Sequence, residues 1–182
     1  TTLREESELT EEQRDLVETI RSSGDTLLRV INDILDYSKI ESGNLSIDES
    51  VLSLPKLIAE IRKMITFEAD QKQLALSMTI NGDVPEFIIS DRGRIRQILL
   101  NLLSNAIKFT EMGSVSMEVS CEKEYPRSVL LSFLIKDTGI GIPDDKIDIL
   151  FDEFTQADSS HSRMFGGSGL GLAIVKKLVK LM

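Results

Sequence analysis

A chain of 182 residues allows one medium domain, or a small one with an appendage. Hydrophobic residues make up 41 %, enough for a core, and 30 Asp and Glu against 21 Lys and Arg leave a formal charge of −9. That balance argues against nucleic acid, since no basic face offsets phosphate repulsion; a small anionic ligand held through a metal ion and a few placed cations is not excluded. One cysteine, Cys121, permits no internal disulfide and fits a reducing compartment; no apolar run approaches the roughly 20 residues of a membrane span, and no signal peptide is expected.

Residues 1–9 are polar and read as a frayed helix end and a loop. Thr10-Glu-Glu-Gln13 has the form of a capping box. Leu16, Ile20, Ser23, Leu27, Val30, Ile34 and Tyr37 then recur at alternating spacings of 4 and 3, the seam of a bundle helix about four heptads long. Ser23 weakens the seam, and Gly24 beside it costs about 1 kcal/mol relative to Ala. The helix is expected to stop near Ser42-Gly43-Asn44, with Gly43 as its cap. A single helix cannot bury this stripe alone; it needs a partner helix or a domain of its own to pack on.

Ser46 to Leu54 reads as an extended connector, and Ser53 is placed to cap a helix with Pro55 near its start. Leu57, Ile58, Ile61, Met64 and Ile65 form that helix's stripe. Leu74, Leu76, Met78 and Ile80 alternate with small residues as a half-buried strand, followed by a turn at Asn81-Gly82-Asp83 and a short strand candidate, Phe87-Ile88-Ile89. Asp91 can cap the next helix, with Ile95, Ile98, Leu99, Leu102, Leu103, Ala106 and Ile107 on its buried face. Two strands, Ser114 to Cys121 and Ser128 to Lys136, are joined by a polar turn at Glu122 to Arg127 and should be antiparallel. Cys121 alternates with Val115, Met117 and Val119 and is expected to face the core. The apolar run Val129 to Ile135 reads as a buried strand.

Three stretches carry chemistry. Asn101 and Asn105 lie one turn apart on one helix face, and Lys108 falls a further turn on. Asparagine is a poor helix former, so two in an interior flanked by leucines ask for a reason. Their amide oxygens and the lysine ammonium can hold a hard cation and phosphate together; the plainer alternative is asparagines that face water. Next, the second strand ends in Asp137-Thr-Gly-Ile-Gly-Ile-Pro143, a carboxylate before a two-glycine turn, with proline in the first turn of a following helix. Glycine permits close backbone approach to a ligand, and a carboxylate beside such backbone suits an amino-bearing ring such as adenine; alone, it is also what a tight turn looks like. That helix presents Ile147, Leu150 and Phe151, with Phe154 one turn on. Last, Thr155 to Ser168 is polar with no apolar period, long for a connection. It runs into Gly166-Gly-Ser-Gly-Leu-Gly171, which opens an apolar helix from Leu170 to Met182; amides at such a helix start favour anions. No βαβ unit surrounds these glycines, so they are not a dinucleotide-binding fingerprint.

In this order the stretches Asn101 to Thr110, Asp137 to Ile142, Phe151-Asp-Glu-Phe154 and Gly166 to Ile174 resemble the N, G1, F and G2 boxes of sensor histidine kinases. The resemblance runs from about Leu9 to the end. It is closest to the hybrid kinases, whose second bundle helix often ends as Ile31-Asn-Asp-Ile-Leu-Asp-Tyr-Ser-Lys-Ile-Glu41 does here. It implies an α+β chain: residues 1–45 as part of the dimerisation and histidine-phosphotransfer region, then 46–182 as a catalytic, ATP-binding α/β sandwich of the Bergerat (GHKL) type with a mixed, mostly antiparallel sheet. It implies ATP and Mg2+ as cofactors, with Asp137 selecting adenine, Asn101 and Asn105 toward the metal, and Lys108 on phosphate. Gly139, Gly141, Ile142, Gly167, Ser168, Gly169, Leu170 and Gly171 would shape the pocket, Phe154 would anchor the lid, and Arg163 would close it over the phosphates; Gln156 is a weaker contact. The expected activity is protein-histidine kinase in a phosphorelay, with a receiver domain and a second copy as partners, no nucleic acid and a cytoplasmic location; membrane anchoring of the parent protein stays open.

The sequence departs from the family pattern in three places. The phosphoacceptor histidine belongs on a helix upstream of the loop near residues 3–10, and the one histidine, His161, lies in a polar loop that suits it poorly. Closing strands are expected after Met182. Gln97 stands where related ATPases of the gyrase, chaperone and mismatch-repair kinds carry a glutamate base; glutamine cannot take a proton at neutral pH, which argues against direct ATP hydrolysis. A nucleotide-binding and dimerisation module without kinase activity is the first alternative, a GHKL-type ATPase the second.

Overall fold

The computed structural model describes residues 9–147, 149–153 and 169–182. The chain divides into two units, Thr1–Asn44 and Leu45–Met182. Among its described residues the first has one helix, α1 (Glu11–Glu41). Thr10 caps it by accepting from the Gln13 amide at 3.3 Å, and the Gln13 side chain returns the bond to the Thr10 amide at 3.0 Å. Its far end closes as a Schellman turn: Asn44 N–H donates to the Lys39 carbonyl and Gly43 N–H to that of Ile40, with Gly43 at φ 68°. Leu16, Ile20, Leu27, Ile31 and Ile34 are all exposed.

The second unit packs helices on a sheet. Its elements are β1 (Ser50–Ser53), α2 (Leu54–Gln71), β2 (Ala75–Ile80), β3 (Phe87–Ser90), α3 (Arg92–Phe109), β4 (Ser114–Tyr125), β5 (Ser128–Asp137), α4 (Asp144–Ile147) and α5 (Gly171–Leu181). β2 pairs parallel with β4, β4 pairs antiparallel with β5, and β1 pairs antiparallel with β3 in a separate ribbon. The mixed, mostly antiparallel sheet is therefore as expected. Leu57, Ile61 and Ile65 of α2, Leu99 and Leu103 of α3, and Val115, Met117 and Val119 of β4 form the core. α3 lies against α2 on one flank and α5 on the other, so the helix with the two asparagines is the centre of the helical layer.

Several local expectations are corrected. The extended connector ends in a strand: its last residues pair as β1, with Val51 opposite Ile89, and Leu54 already opens α2. Ser53 precedes α2 but makes no side-chain cap, and its buried hydroxyl has no partner. Leu57, Ile58, Ile61 and Ile65 pack inward as expected, but Met64 is half exposed, and Leu54 and Ala69 extend the buried stripe at its two ends. The β4–β5 turn is not six residues long; the strands continue through Glu122 to Tyr125, leaving Pro126-Arg127 between them. A register shift at Glu122 ends the clean alternation of β4, so Cys121 is only half-buried. β5 is not a buried strand. Among the described residues it pairs on one side only, Leu131, Phe133 and Ile135 pack inward, and Leu130 and Leu134 face out. Pro143 precedes α4, which buries no residue.

Candidate functional site

Asp91 starts the site by fixing the N-terminus of α3. Its Oδ1 accepts from Arg94 N–H and its Oδ2 from Asp48 N–H, each at 3.0 Å. One carboxylate thus caps the helix and holds the incoming connector. Burial would push this carboxyl up, but the amides of Asp48, Arg94 and Gly93, helped by the Arg94 charge, outweigh it and hold it below the ordinary carboxylate value. Arg92 also pairs with Glu60 of α2. One turn in, Gln97 Oε1 accepts from the Arg94 guanidinium at 2.8 Å.

Asn101 and Asn105 are half-buried on the flank of α3. The Asn101 amide nitrogen reaches the Gly171 carbonyl at the start of α5, 3.5 Å away, and a Cβ at Gly171 would stand in ordinary contact with that side chain. The structure therefore brings the asparagine stretch and the glycine-rich stretch together. Gly169 has φ 69° and Leu170 is fully buried, so the backbone turns sharply just before α5 while its side chain anchors the turn. Lys108 lies in the last turn of α3, its ammonium 4.9 Å from the Phe109 ring centre.

That last turn meets the Asp137 loop. Ile140 N–H donates to the Phe109 carbonyl at 3.3 Å. Gly139 sits so close that a Cβ there would lie 2.4 Å from the same oxygen and 2.8 Å from Asp137 Oδ1. Asp137 itself ends β5 opposite Val115, exposed, with Oδ1 accepting from Gly139 N–H at 2.9 Å. Thr138 locks the other side: Ser114 N–H donates to its hydroxyl oxygen at 3.0 Å, and Thr138 N–H donates to the Ser114 carbonyl. Gly141 has φ 70°, and Ile142 is exposed beyond it. Phe154, Gln156, His161, Arg163, Gly167 and Ser168 lie outside the described residues.

Two contributors escape the sequence reading. Thr138 is one: a polar residue between Asp137 and Gly139 gives no periodic signal, and its partner lies 24 positions away. The Phe109 carbonyl is the other, and backbone leaves no sequence trace. Among the described residues no group of three or more His, Cys, Asp or Glu side chains is placed to hold a metal ion. A cavity of about 430 Å³ lies elsewhere, between Phe151 to Glu153 and the far face of α5 at Lys176, Lys177 and Lys180. None of the candidate residues lines it.

Residues 90–182 match the family described as histidine kinase-, DNA gyrase B-, and HSP90-like ATPase, and residues 1–43 match the His Kinase A (phospho-acceptor) domain. The sensor histidine kinase GacS of Pseudomonas protegens is 44 % identical over 182 residues, all of this chain and 20 % of that protein. The hybrid signal transduction protein dokA of Dictyostelium discoideum is 43 % identical over 179 residues, 97 % of this chain and 11 % of that protein. The chain thus spans a fifth or less of these curated relatives. Among solved structures, full-length ShkA in complex with AMPPNP superposes with a TM-score of 0.76 at 32 % identity, covering 98 % of this chain and 36 % of that one. Among the described residues no helix is long and apolar enough to cross a membrane.

Proposed function

The chain belongs to the family of histidine kinase-, DNA gyrase B-, and HSP90-like ATPases, and from that premise we propose that it is the ATP-binding core of a protein-histidine kinase working in a phosphorelay. The observation that carries this reading is the junction at Phe109. There the helix bearing Asn101, Asn105 and Lys108 meets, through one carbonyl, the loop bearing Asp137. A site for a nucleotide needs adenine recognition and phosphate recognition held at a fixed separation, and the contact of Ile140 and Gly139 with the Phe109 carbonyl supports that reading.

In the proposed site the exposed Asp137 carboxylate accepts from the adenine amino group. Gly139 and Gly141 keep that wall free of side chains. Asn101 and Asn105 offer amide oxygens toward Mg2+. With Asn101 Nδ2 turned to Gly171, its Oδ1 is the atom left for a cation. Magnesium retains several waters and takes one or two protein oxygens beside phosphate, so this donor set fits it, and when bound it would neutralise phosphate charge. Lys108, with Arg163 from beyond the described residues, adds cationic charge. Gly169, Leu170 and Gly171 place backbone and a buried anchor at the start of α5; Gly167 and Ser168, outside the described residues, are proposed to shape the same pocket. Phosphoryl transfer asks mainly for positioning and charge neutralisation, and these residues do both without offering a base to water; the Gln97 amide, held by Arg94, cannot act as one. The proposed acceptor is a histidine on a bundle helix, the proposed next partner a receiver domain, and the proposed compartment the cytoplasm.

Calorimetric titration with Mg-ADP tests the reading. Saturable binding is expected, weakened about tenfold or more by Asp137→Asn, which replaces an acceptor with a donor; binding indifferent to the substitution would overturn the adenine assignment. Phosphorylation of a separately supplied bundle helix carrying histidine distinguishes a kinase core from a module that only binds nucleotide.

A further inference from the structure

Lys72 follows the last residue of α2, far in sequence from the three stretches that carry chemistry. Its ammonium reaches across to the C-terminus of α3 and donates to three backbone carbonyls: Ile107 and Lys108 at 2.8 Å each and Thr110 at 3.2 Å. An ammonium has three protons, and here each has a carbonyl. These oxygens belong to the end of the helix, where carbonyls lack intrahelical partners and the helix dipole is negative. Thr110, fully buried, adds a bond from its hydroxyl to the Ala106 carbonyl at 2.7 Å.

The local backbone is shaped for this reach. α2 ends in a Schellman turn, Leu74 N–H to the Ala69 carbonyl and Gln73 N–H to that of Asp70. The left-handed residue is Gln73, at φ 56°, where glycine is usual. It is the one non-glycine residue with positive φ among the described residues. A cost of that kind persists where the surroundings over-determine the conformation.

The carbonyls that Lys72 holds bracket Phe109, whose own carbonyl accepts from Ile140 N–H and abuts Gly139. They also bracket the α-carbon of Lys108. We propose that Lys72 is a positioning residue for the nucleotide site: by gathering the last turn of α3 on one ammonium, it sets where Lys108 stands and how closely the Asp137–Ile140 loop packs. It touches no ligand and acts through Phe109 and Lys108. The proposal rests on the nucleotide reading above.

The test compares the unsubstituted chain with Lys72→Met, Lys72→Gln, Lys72→Arg and a core control, Val119→Ala, by Mg-ADP calorimetry, thermal melting and the amide resonances of Gly139 and Ile140. A small misplacement of this kind can cost about 10- to 100-fold, so Lys72→Met should weaken Mg-ADP about tenfold and move both resonances, Lys72→Arg should restore most of the affinity, and Val119→Ala should lower the melting temperature alone. If Lys72→Met does not fold, Lys72→Gln decides on the same criteria. Binding by the unsubstituted chain that the neutral variants leave unchanged, with only the melting temperature lowered, overturns the role of Lys72 and leaves the nucleotide reading standing. An unsubstituted chain that binds no Mg-ADP overturns that reading, and the proposal with it.

Discussion

Gly139 is the residue on which the junction turns. Its φ is unremarkable; its constraint is space. A methyl at that position would meet the Phe109 carbonyl at 2.4 Å, a distance no Cβ tolerates, and the obstacle is backbone. Gly139→Ala should therefore push the Asp137 loop off α3, destabilise the chain by about 1–3 kcal/mol as overpacking does, and weaken Mg-ADP binding. Melting and calorimetry on the same sample check both. Gly141→Ala meets nothing within 4 Å and is penalised through its φ of 70° instead. Residues of this kind divide sharply in how far sequence betrays them. Thr10 and Asp91 were legible as caps because each bonds an amide three positions on. Lys72 was not, because its partners lie 35 to 38 positions away and no pattern links them.

Among the elements, α3 was read most fully: Asp91 caps its start, and Ile95, Leu99, Leu103, Ala106 and Ile107 pack inward as a 3.6-residue period gives, though Ile98 and Leu102, expected on that face, are only half-buried. β1 was missed because four residues, Ser50 to Ser53, carry too little alternation to stand out; the strand exists through its partner β3. β5 was misread because an apolar run looks alike whether one or both faces are covered. The start of α3 also carries a pH dependence. The Asp91 carboxyl sits below its ordinary value in the folded chain. Its contribution is present above the ordinary carboxylate pKa and is lost as pH falls through the folded value. Asp91→Ala should thus cost about 1–2 kcal/mol at neutral pH, and the gap from the unsubstituted chain should narrow in acid below pH of about 4. Denaturant melts across that range measure it, and a gap constant with pH would show that the carboxylate charge plays no part.

For the whole molecule, α1 presents Leu16, Ile20, Leu27, Ile31 and Ile34 to solvent along one seam, more apolar surface than a lone helix keeps in water. The chain is expected to self-associate through it. Sedimentation should show a concentration-dependent dimer, and Ile20→Glu with Leu27→Glu should return it to monomer while leaving Mg-ADP binding in place. The heptad spacing made this legible in the sequence, since a stripe needs no knowledge of its partner.

The parallel pairing of β2 with β4 bears on when the site comes into being. Ala75 meets Ser114 only after the intervening chain, β3 and all of α3, has crossed the sheet. Asp137 arrives later still, on a strand that takes its register from β4. The proposed site therefore waits on a pairing between residues far apart in sequence, slower for a polypeptide to make than a local one. A ligand that needs the whole of the proposed site would find no half-built cradle during synthesis or refolding. It clasps the completed fold, prolonging the lifetime of the native state while leaving the speed of its formation as it was.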